Sequence, residues 1–526
     1  MQAPRRRRVG SDASIEGGNN RADTSSSDDG GGGDAGGGAK RPLAAALTPL
    51  WWRRRHTMVL LCAANVFVCY CDRVNISVAA IDMASELGWD TATKGTVLGS
   101  FFYGYLLSQV VGAWAARRYG GKRALAVATV LWSLLTCATP LVARGARGGG
   151  DGRAGSGLRA LLACRVLLGL AEGAAFPCIF HFLAGWVPAA ERARSLAQLQ
   201  TGTTAGVVAA FLVAPQLMAR PGLGWPWVFY SFGSLGFVWL AAWLWLAEDA
   251  PAHALDGGDG DHDGGAPTAA LLPSKAAAAA GGARGGGDAQ GAAAVPSFGA
   301  ILAARPMWGI MWAHFCENWG GYVVLSWLPS YFEAEMGLTG ASLSVTFLPY
   351  LAMGVLGNCG GVAADRLAAR GWPLVRVRKA MTAAGFLLGA LFLLALAALV
   401  PHRPKNAAAA DIGTDDTDEG LAEGGGGRRM AVAITCISLA LGLQAVSHAG
   451  WYANKLDVAG PRTAGRLQCV SNTFATLAGA VGVPLTARVL AATGGNYNAV
   501  FVAQAGVYVS AAAAFAVLGR ADRLFP

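Results

Sequence analysis

Charge is what this chain has least of. Asp, Glu, Lys and Arg make up 14% of its 526 residues, against about a quarter in soluble domains. With 54% hydrophobic residues, that scarcity excludes an ordinary soluble domain. Paired cysteines are missing too. All ten (62, 69, 71, 137, 164, 178, 316, 359, 436 and 469) lie in or at the ends of apolar runs, and none forms a CxxC. Neither a zinc site nor a disulfide framework is indicated, and the thiols read as small buried hydrophobes. No nucleophile beside a base, metal-ligand cluster or phosphate-cradling loop occurs, so no catalytic residue, metal ligand or cofactor is assigned. The first fifty residues have no apolar core of the kind a cleavable secretory signal needs. The net charge of +10 does not call for nucleic acid, because excess Lys and Arg collect at the cytoplasmic ends of membrane helices.

Long apolar runs are what the chain has instead. Twelve stretches reach the length of about 20 residues that crosses a bilayer. They are 57–81, 95–116, 122–143, 158–187, 193–218, 226–247, 305–332, 341–364, 378–400, 430–452, 462–490 and 497–520. A segment of Gly, Ala and Asp, 248–304, reads as a disordered linker between two six-helix bundles, 57–247 and 305–520. A second insert, 401–429, carries the acidic run DIGTDDTDEG beside Arg428 and Arg429. Residues 1–56 are polar and rich in Gly and Ser, with Arg5–Arg8 near the start, and cannot bury a core. Their Arg and Ser content fits an organellar transit segment; Asp12, Glu16, Asp23, Asp28 and Asp29 do not. A short tail, 521–526, ends the chain. The fold class expected is an all-α membrane protein of twelve transmembrane helices in two pseudo-symmetric bundles.

Basic residues set the orientation. Arg53–Arg55, Arg117, Arg118, Lys122 and Arg123, Arg192 and Arg194, Arg366–Lys379, and Arg520 and Arg523 all fall on one side. Both termini therefore face the cytoplasm or its topological equivalent. The loop 144–159, with four arginines, is an exception on the other side.

The fourth run, LRALLACRVLLGLAEGAAFPCIFHFLAGWV (158–187), places Arg165 and Glu172 inside apolar sequence. Either charge at the centre of a membrane helix costs about 2.5–3.5 kcal/mol by insertion scales. Seven residues bring the chain back to within roughly 20° of the same face, about 10 Å along the axis. The two charges share a stripe without touching, so each needs a partner on another helix or a ligand. A structural ion pair with neighbouring helices is the plainer reading; a substrate or ion path is the functional one, and is adopted.

The two halves also repeat a pattern. GAWAARRYGGKR (112–123) and GNCGGVAADRLAARGWPLVRVRK (357–379) each set close-packing glycines before a basic cluster. Equivalent loops in two six-helix halves are what a duplicated transporter shows. The loop resembles the signature of the major facilitator superfamily. More narrowly, the chain resembles the anion:cation symporter branch, which includes sodium-dependent phosphate transporters, plastid anion transporters, sialin and the vesicular glutamate transporters. The likeness runs from about 57 to 520. It is carried by DRVN (72–75), SFFYGYLLSQVVG (100–112), GGKR (120–123), RVLLGLAEGAAFP (165–177), ERARS (191–195), WVFYSFGSLG (227–236), HFCENWG (314–320), NCGGVAAD (358–365) and SNTFATLAG (471–479).

Arg73, about 6 Å past the middle of the first span, and Arg165 in the outer half of the fourth would open on one central cavity. Arg suits a carboxylate or phosphate clamp because its planar fork donates two parallel hydrogen bonds and stays charged. The resemblance implies anion recognition for these two residues and coupling for Glu172. That carboxyl could take up a proton when the cavity closes, or simply balance Arg165. Tyr322 and Asn472 are further substrate candidates, and Glu317 a further coupling candidate. Glu317 also departs from the branch, where vesicular members have Arg and plastid members His, and it argues against glutamate as substrate. Gly112, Lys122, Arg123, Asp365, Arg378 and Lys379 are assigned to the gating loops. Arg117 stands where the family's first loop has an acid, leaving Asp365 as the acid of the second.

The expected function is secondary active transport of inorganic phosphate or a small organic anion, with Na+ or H+ as coupling ion. An anion exchanger or uniporter of the same fold is the alternative, and a non-transporting receptor a more distant one. The partners expected are the anion and the bilayer. A monomer is sufficient, and the membrane is a plastid envelope, another organelle membrane or the plasma membrane. Replacing residues 255–290 with a short Gly/Ser linker is expected to leave uptake within about twofold, since such a linker adds reach without contacts. Loss of uptake at normal expression shows instead that the segment binds something.

Overall fold

The computed structural model describes residues 54–145, 154–187, 191–248, 296–402, 419–459 and 463–525. The N-terminal tail up to residue 53, the linker from 249 to 295 and the insert from 403 to 418 lie outside the described residues. The first half holds α1 (Arg54–Leu87), α2 (Thr91–Tyr119), α3 (Gly121–Arg144), α4 (Ala154–Gly173, continued as Ala175–Ala184), α5 (Arg192–Met218) and α6 (Trp225–Leu246). The second holds α7 (Arg305–Met336), α8 (Leu348–Ala369), α9 (Leu374–Leu399), α10 (Glu419–Val446), α11 (Ala464–Ala492) and α12 (Tyr497–Leu518). A 3-10 segment, Gly340–Phe347, leads into α8. After α10 the chain runs on through Ser447–Ala449 and a short helix, Trp451–Val458, before turning back.

Among the described residues, eleven spans are long and apolar enough to cross a membrane. The exception is α7. It has the length, 32 residues, but His314, Glu317 and Asn318 interrupt its apolar sequence. The turns follow local chemistry. Asp90 caps α2 by accepting from the Thr93 amide at 2.8 Å, and hydrogen bonding from the Thr93 side chain, then its amide, holds the carboxyl below the usual carboxylate range. Gly120, at φ 83°, makes the tight turn from α2 into α3.

Helix packing shows the internal repeat. In the first half α1 packs on α5 and α6, α2 on α4, and α3 on α4 and α6. In the second, α7 packs on α11 and α12, α8 on α10, and α9 on α10 and α12. Adding six to each number converts one set into the other. The halves meet along two seams related by the same rule, α2 with α11 and α5 with the 3-10 segment and α8, with α1 against α7 between them. In the first seam Gly95, Gly99 and Gly479 leave room for Ala487, Pro484 and Phe102. In the second, Gln216 Nε2 donates to Ser344 Oγ at 3.0 Å, and Ser344 Oγ donates to the Leu212 carbonyl at 3.2 Å. Both seams lie toward the end opposite Arg54 and Leu518. The two halves are therefore held together there.

Several boundaries differ from the sequence expectation; α1, for one, runs on to Leu87 rather than ending at 81. The fourth span is not one helix but breaks at Ala174. Residues 298–303, assigned to the linker 248–304, form a helix capped by Ser297. The helix α10 starts at Glu419, inside the segment 401–429 assigned as disordered insert. Polar and Gly-rich composition had masked the helical turn that precedes the apolar run. The span 430–452 also ends too early, because helical structure continues to Val458.

Close approach of α2 and α4 places the charges that matter. A side chain on Gly104 would run into the Val166 carbonyl, and one on Gly169 into the Phe101 carbonyl. These two glycines let the backbones touch and bring Phe101 and Tyr105 against the stripe bearing Arg165 and Glu172. Gly104→Leu is expected to abolish the monodisperse folded species in detergent, since overpacking a tight contact costs about 1–3 kcal/mol or more. Gly321→Ala, with nothing within 4 Å of the added methyl, is the control. Normal folding of Gly104→Leu by gel filtration and thermal unfolding refutes the contact's role.

Candidate functional site

Two arginines and one glutamate meet in the first half. Arg73, on α1, donates from Nε and Nη2 to Glu172 Oε2 on α4 at 3.3 and 3.2 Å. Both groups are out of solvent, at 4% and 0% exposure. Breaking such a buried pair by removing one partner typically costs about 3–5 kcal/mol. The Arg73 guanidinium also lies 4.5 Å from the Tyr105 ring centre, 4.7 Å from Tyr70 and 5.1 Å from Phe101. Three π-faces and one carboxylate thus hold it. Cys69 Sγ donates to the same Glu172 oxygen at 3.4 Å.

Arg165 is held differently. It is 1% exposed, and its guanidinium touches the Phe101 ring at 5.5 Å. Among the described residues, no group accepts from its Nε or Nη1, nor from Nη1 of Arg73. Each unsatisfied donor in a buried site costs about 1–3 kcal/mol, more when charged. The desolvation has been borne already, so an oxyanion that accepts from these nitrogens recovers it. Arg73 and Arg165 line one cavity with Ser77, Phe101, Phe102 and, from α7 of the other half, Ser326. Its open room is about 10 Å³, close to that of a single water molecule.

The shared stripe of Arg165 and Glu172 called for a partner on another helix, or a ligand, for each; Glu172 has such a partner, and Arg165 has no acceptor on Nε or Nη1 among the described residues. The structure gives Glu172 to Arg73, so its direct counter-charge is Arg73 rather than Arg165. Arg73, read as one jaw of an open clamp, is half engaged. Next to it, the carboxylate oxygens of Asp72 and the amide of Asn75 are buried with no hydrogen-bond partner among the described residues.

Other predicted residues fall nearer or farther. Tyr322 on α7 packs on the cavity wall, its ring 4.5 Å from Phe102, and its hydroxyl accepts from Asn318 at 3.4 Å. Asn472 is half-buried on α11 and is not among the lining residues. Glu317 leans on His448 at 3.3 Å, not on Arg73. Gly112 packs on Ala174 at the break in α4, the Lys122 carbonyl accepts from Trp243 Nε1 at 3.2 Å, and Arg123 is exposed. Lys379 is half-buried. Asp365, assigned as the surviving gate acid, is exposed on α8 and makes no ion pair among the described residues. Arg378 does pair, but with Asp457 past α10, through Nε at 2.6 Å and Nη2 at 3.1 Å.

Sequence reasoning missed the aromatic box of Tyr70, Phe101 and Tyr105, although Phe101 and Tyr105 lie inside the quoted stretch 100–112 and Tyr70 stands two residues before 72–75. It also missed Lys455, which looked like a loop cation because the tenth apolar run stops before it.

The sequence profile of the Major Facilitator Superfamily matches residues 62–413. The chain is 34% identical to probable anion transporter 4, chloroplastic, of Oryza sativa subsp. japonica, over 89% of its own length and 69% of the relative's. It is 34% identical to the ascorbate transporter, chloroplastic, of Arabidopsis thaliana, over 86% and 72%. Identity to sodium-dependent phosphate transport protein 1, chloroplastic, of Arabidopsis thaliana is 35%, over 86% and 76%. Among solved structures, an inward-facing, occupied bacterial homolog of the human lysosomal transporter Spinster superposes with a TM-score of 0.62 at 15% identity, covering 89% of this chain and 97% of that one. A D-xylose–proton symporter gives 0.62 at 15%, covering 89% and 98%. These two bear on the fold alone. Two repeated six-helix bundles with a buried ionic site at their junction define a multi-pass membrane carrier. The chain belongs to the Major Facilitator Superfamily, and it is a secondary transporter, not an enzyme.

Arg165→Lys keeps the charge but loses the planar fork. Losing a charge-assisted hydrogen bond worth about 1.5–3 kcal/mol is expected to lower anion uptake at least about tenfold. Insertion and thermal stability should remain near normal. Uptake close to that of the unsubstituted protein marks Arg165 as structural.

Proposed function

We propose that this chain carries inorganic phosphate across its membrane, coupled to H+ or Na+. The observation that carries this reading is the set of buried guanidinium nitrogens without acceptors, two on Arg165 and one on Arg73, facing one cavity. Ser77 suits a partly protonated oxyanion as well. Its hydroxyl proton is spent on the Val74 carbonyl at 2.7 Å, which leaves its oxygen free to accept from a P–OH group. The cavity, with room for about one water, must widen to admit any anion, and a small tetrahedral one requires the least widening. Relatives named for phosphate and anion transport are in keeping with this. A second reading, a small planar organic anion such as ascorbate, is favoured by the aromatic wall of Phe101, Phe102 and Tyr322 and by the relative named for ascorbate transport. The chloroplastic relatives point to a plastid envelope. One copy suffices, because both walls of the cavity come from one chain.

Coupling follows from the Arg73–Glu172 contact. An anion that draws Arg73 toward itself strips Glu172 of its counter-charge. The carboxylate is then left at 0% exposure without a cation within hydrogen-bond reach, and taking up a proton relieves it. Proton and anion binding thereby favour one another, which is symport by linkage. Uptake of labelled phosphate, ascorbate and glutamate into proteoliposomes, with sodium and pH gradients varied separately, tests the reading. Phosphate accumulation is expected, and glutamate uptake is not. Glu172→Gln mimics the protonated form. It is expected to exchange phosphate for phosphate yet fail to accumulate it on a pH gradient. Accumulation that persists in Glu172→Gln removes this residue as proton carrier and favours sodium. Exchange without accumulation in the unsubstituted protein favours an exchanger.

A further inference from the structure

A second buried cation lies in the other half, away from the arginine cavity. Lys455, on the short helix after α10, is 3% exposed. Its Nζ donates to Gln468 Oε1 at 3.0 Å and sits 3.3 Å from Nδ1 of His314. The Trp451 and Tyr452 ring centres lie 4.7 and 4.5 Å from it. Among the described residues, no carboxylate comes within 4 Å of this ammonium. Buried charges are ordinarily paired with an opposite charge, and here an amide oxygen, an imidazole nitrogen and two π-faces do the holding. The acid in electrostatic reach is Glu317 on α7, whose carboxylate is turned to His448 at 3.3 Å.

We propose that Lys455, with Gln468 and His314, is a second anion-recognition point, receiving a phosphate or carboxylate oxygen between the Arg73–Arg165 cavity and the basic face. The proposal rests on the anion-transport reading given above. Gln468 Oε1 occupies the place an anionic oxygen would take, and a charge-assisted N–H···O⁻ bond is roughly twice as strong as its neutral counterpart. The amide can therefore be displaced. Access is provided by the cage wall. Tyr452 is 47% exposed while the ammonium behind it is not, so this ring is the part of the cage that would have to swing aside to admit an anion. His314 is held in place from two sides, with its Nδ1 2.7 Å from Ser471 Oγ on α11 and its ring 4.8 Å from Trp451. An anion leaving the arginine cavity thus passes to a single flexible point charge, which lets go more readily than a bidentate fork.

The test uses full-length protein in proteoliposomes of fixed orientation, with labelled inorganic phosphate as the probe. Phosphate-for-phosphate exchange is measured with substrate varied on one face at a time. Lys455→Gln is expected to raise KM on the basic face about tenfold, as loss of one charge-assisted bond implies. KM on the opposite face should stay within about twofold by the same scale, and Lys455→Arg should restore most of the basic-face value. A KM unchanged on both faces overturns the second site and leaves the proposed function standing. Full recovery of Lys455→Gln by adding Glu317→Gln also overturns it, because Lys455 would then serve only to neutralise Glu317. If Lys455→Gln does not fold, Gln468→Glu gives the answer, since a resident carboxylate on Lys455 should block the site and raise the same KM. Failure of the unsubstituted protein to exchange phosphate, ascorbate or any other anion tried overturns the transport reading and this one with it.

Discussion

Placing charge where no water can solvate it is the constraint on which this structure depends, and the contact between Arg73 and Glu172 is how the chain meets it. A carboxylate or guanidinium at that depth is costly, and an opposite charge in contact lowers the cost. The contact needs α1 and α4 to stand at a fixed distance. Glycines on α2 and α4 bring the backbones of those two helices together and carry Phe101 and Tyr105 in behind the guanidinium. Packing and electrostatics are thus one problem here. The small residues decide where the large ones go, and the large ones make the ion pair tolerable.

With one arginine compensated, the other becomes informative. Arg165 has the same burial and far fewer contacts, so the two guanidiniums differ in what they still require. One holds the bundle together while empty, and the other waits for an acceptor. On the reading proposed above, an anion between them would satisfy Arg165 and compete for Arg73, and so would be felt at Glu172. The second half repeats the helix packing of the first but not its chemistry. There the buried cation is a lysine in an aromatic cage, and the acid of α7 is turned toward a histidine. Repeated architecture thus carries unlike side chains at its buried charges.

Much of this was legible in the sequence. The apolar runs gave the spans, because a membrane helix declares itself by length and composition. The spacing of Arg165 and Glu172 showed that partners had to come from another helix. It could not show which helix, since that depends on the crossing of α1 and α4, and nothing local in either stretch encodes it. The break at Ala174 was hidden because a one-residue irregularity leaves hydropathy unchanged. Lys455 was hidden for the opposite reason. A cation just past an apolar run reads as loop, although the chain there still winds inside the bundle and the rings around it come from its own helix. Asp365 reads as a gate residue by motif, yet it is exposed and the ion pair on that side belongs to Arg378 and Asp457.

The two seams that hold the halves together are alike in position and unlike in substance. Between α2 and α11 the contact is glycine, alanine, proline and phenylalanine; between α5 and the 3-10 segment it is a relay of hydrogen bonds through Gln216 and Ser344. When the molecule opens on that side, the first seam becomes wet apolar surface and the second exchanges protein acceptors for water. Hydration of apolar surface carries a large heat capacity, and the grip it gives weakens on cooling. The balance between the two facing states therefore shifts with temperature along a curve rather than a line. A carrier built this way would hold its far gate most loosely in the cold, with the arginine site itself untouched.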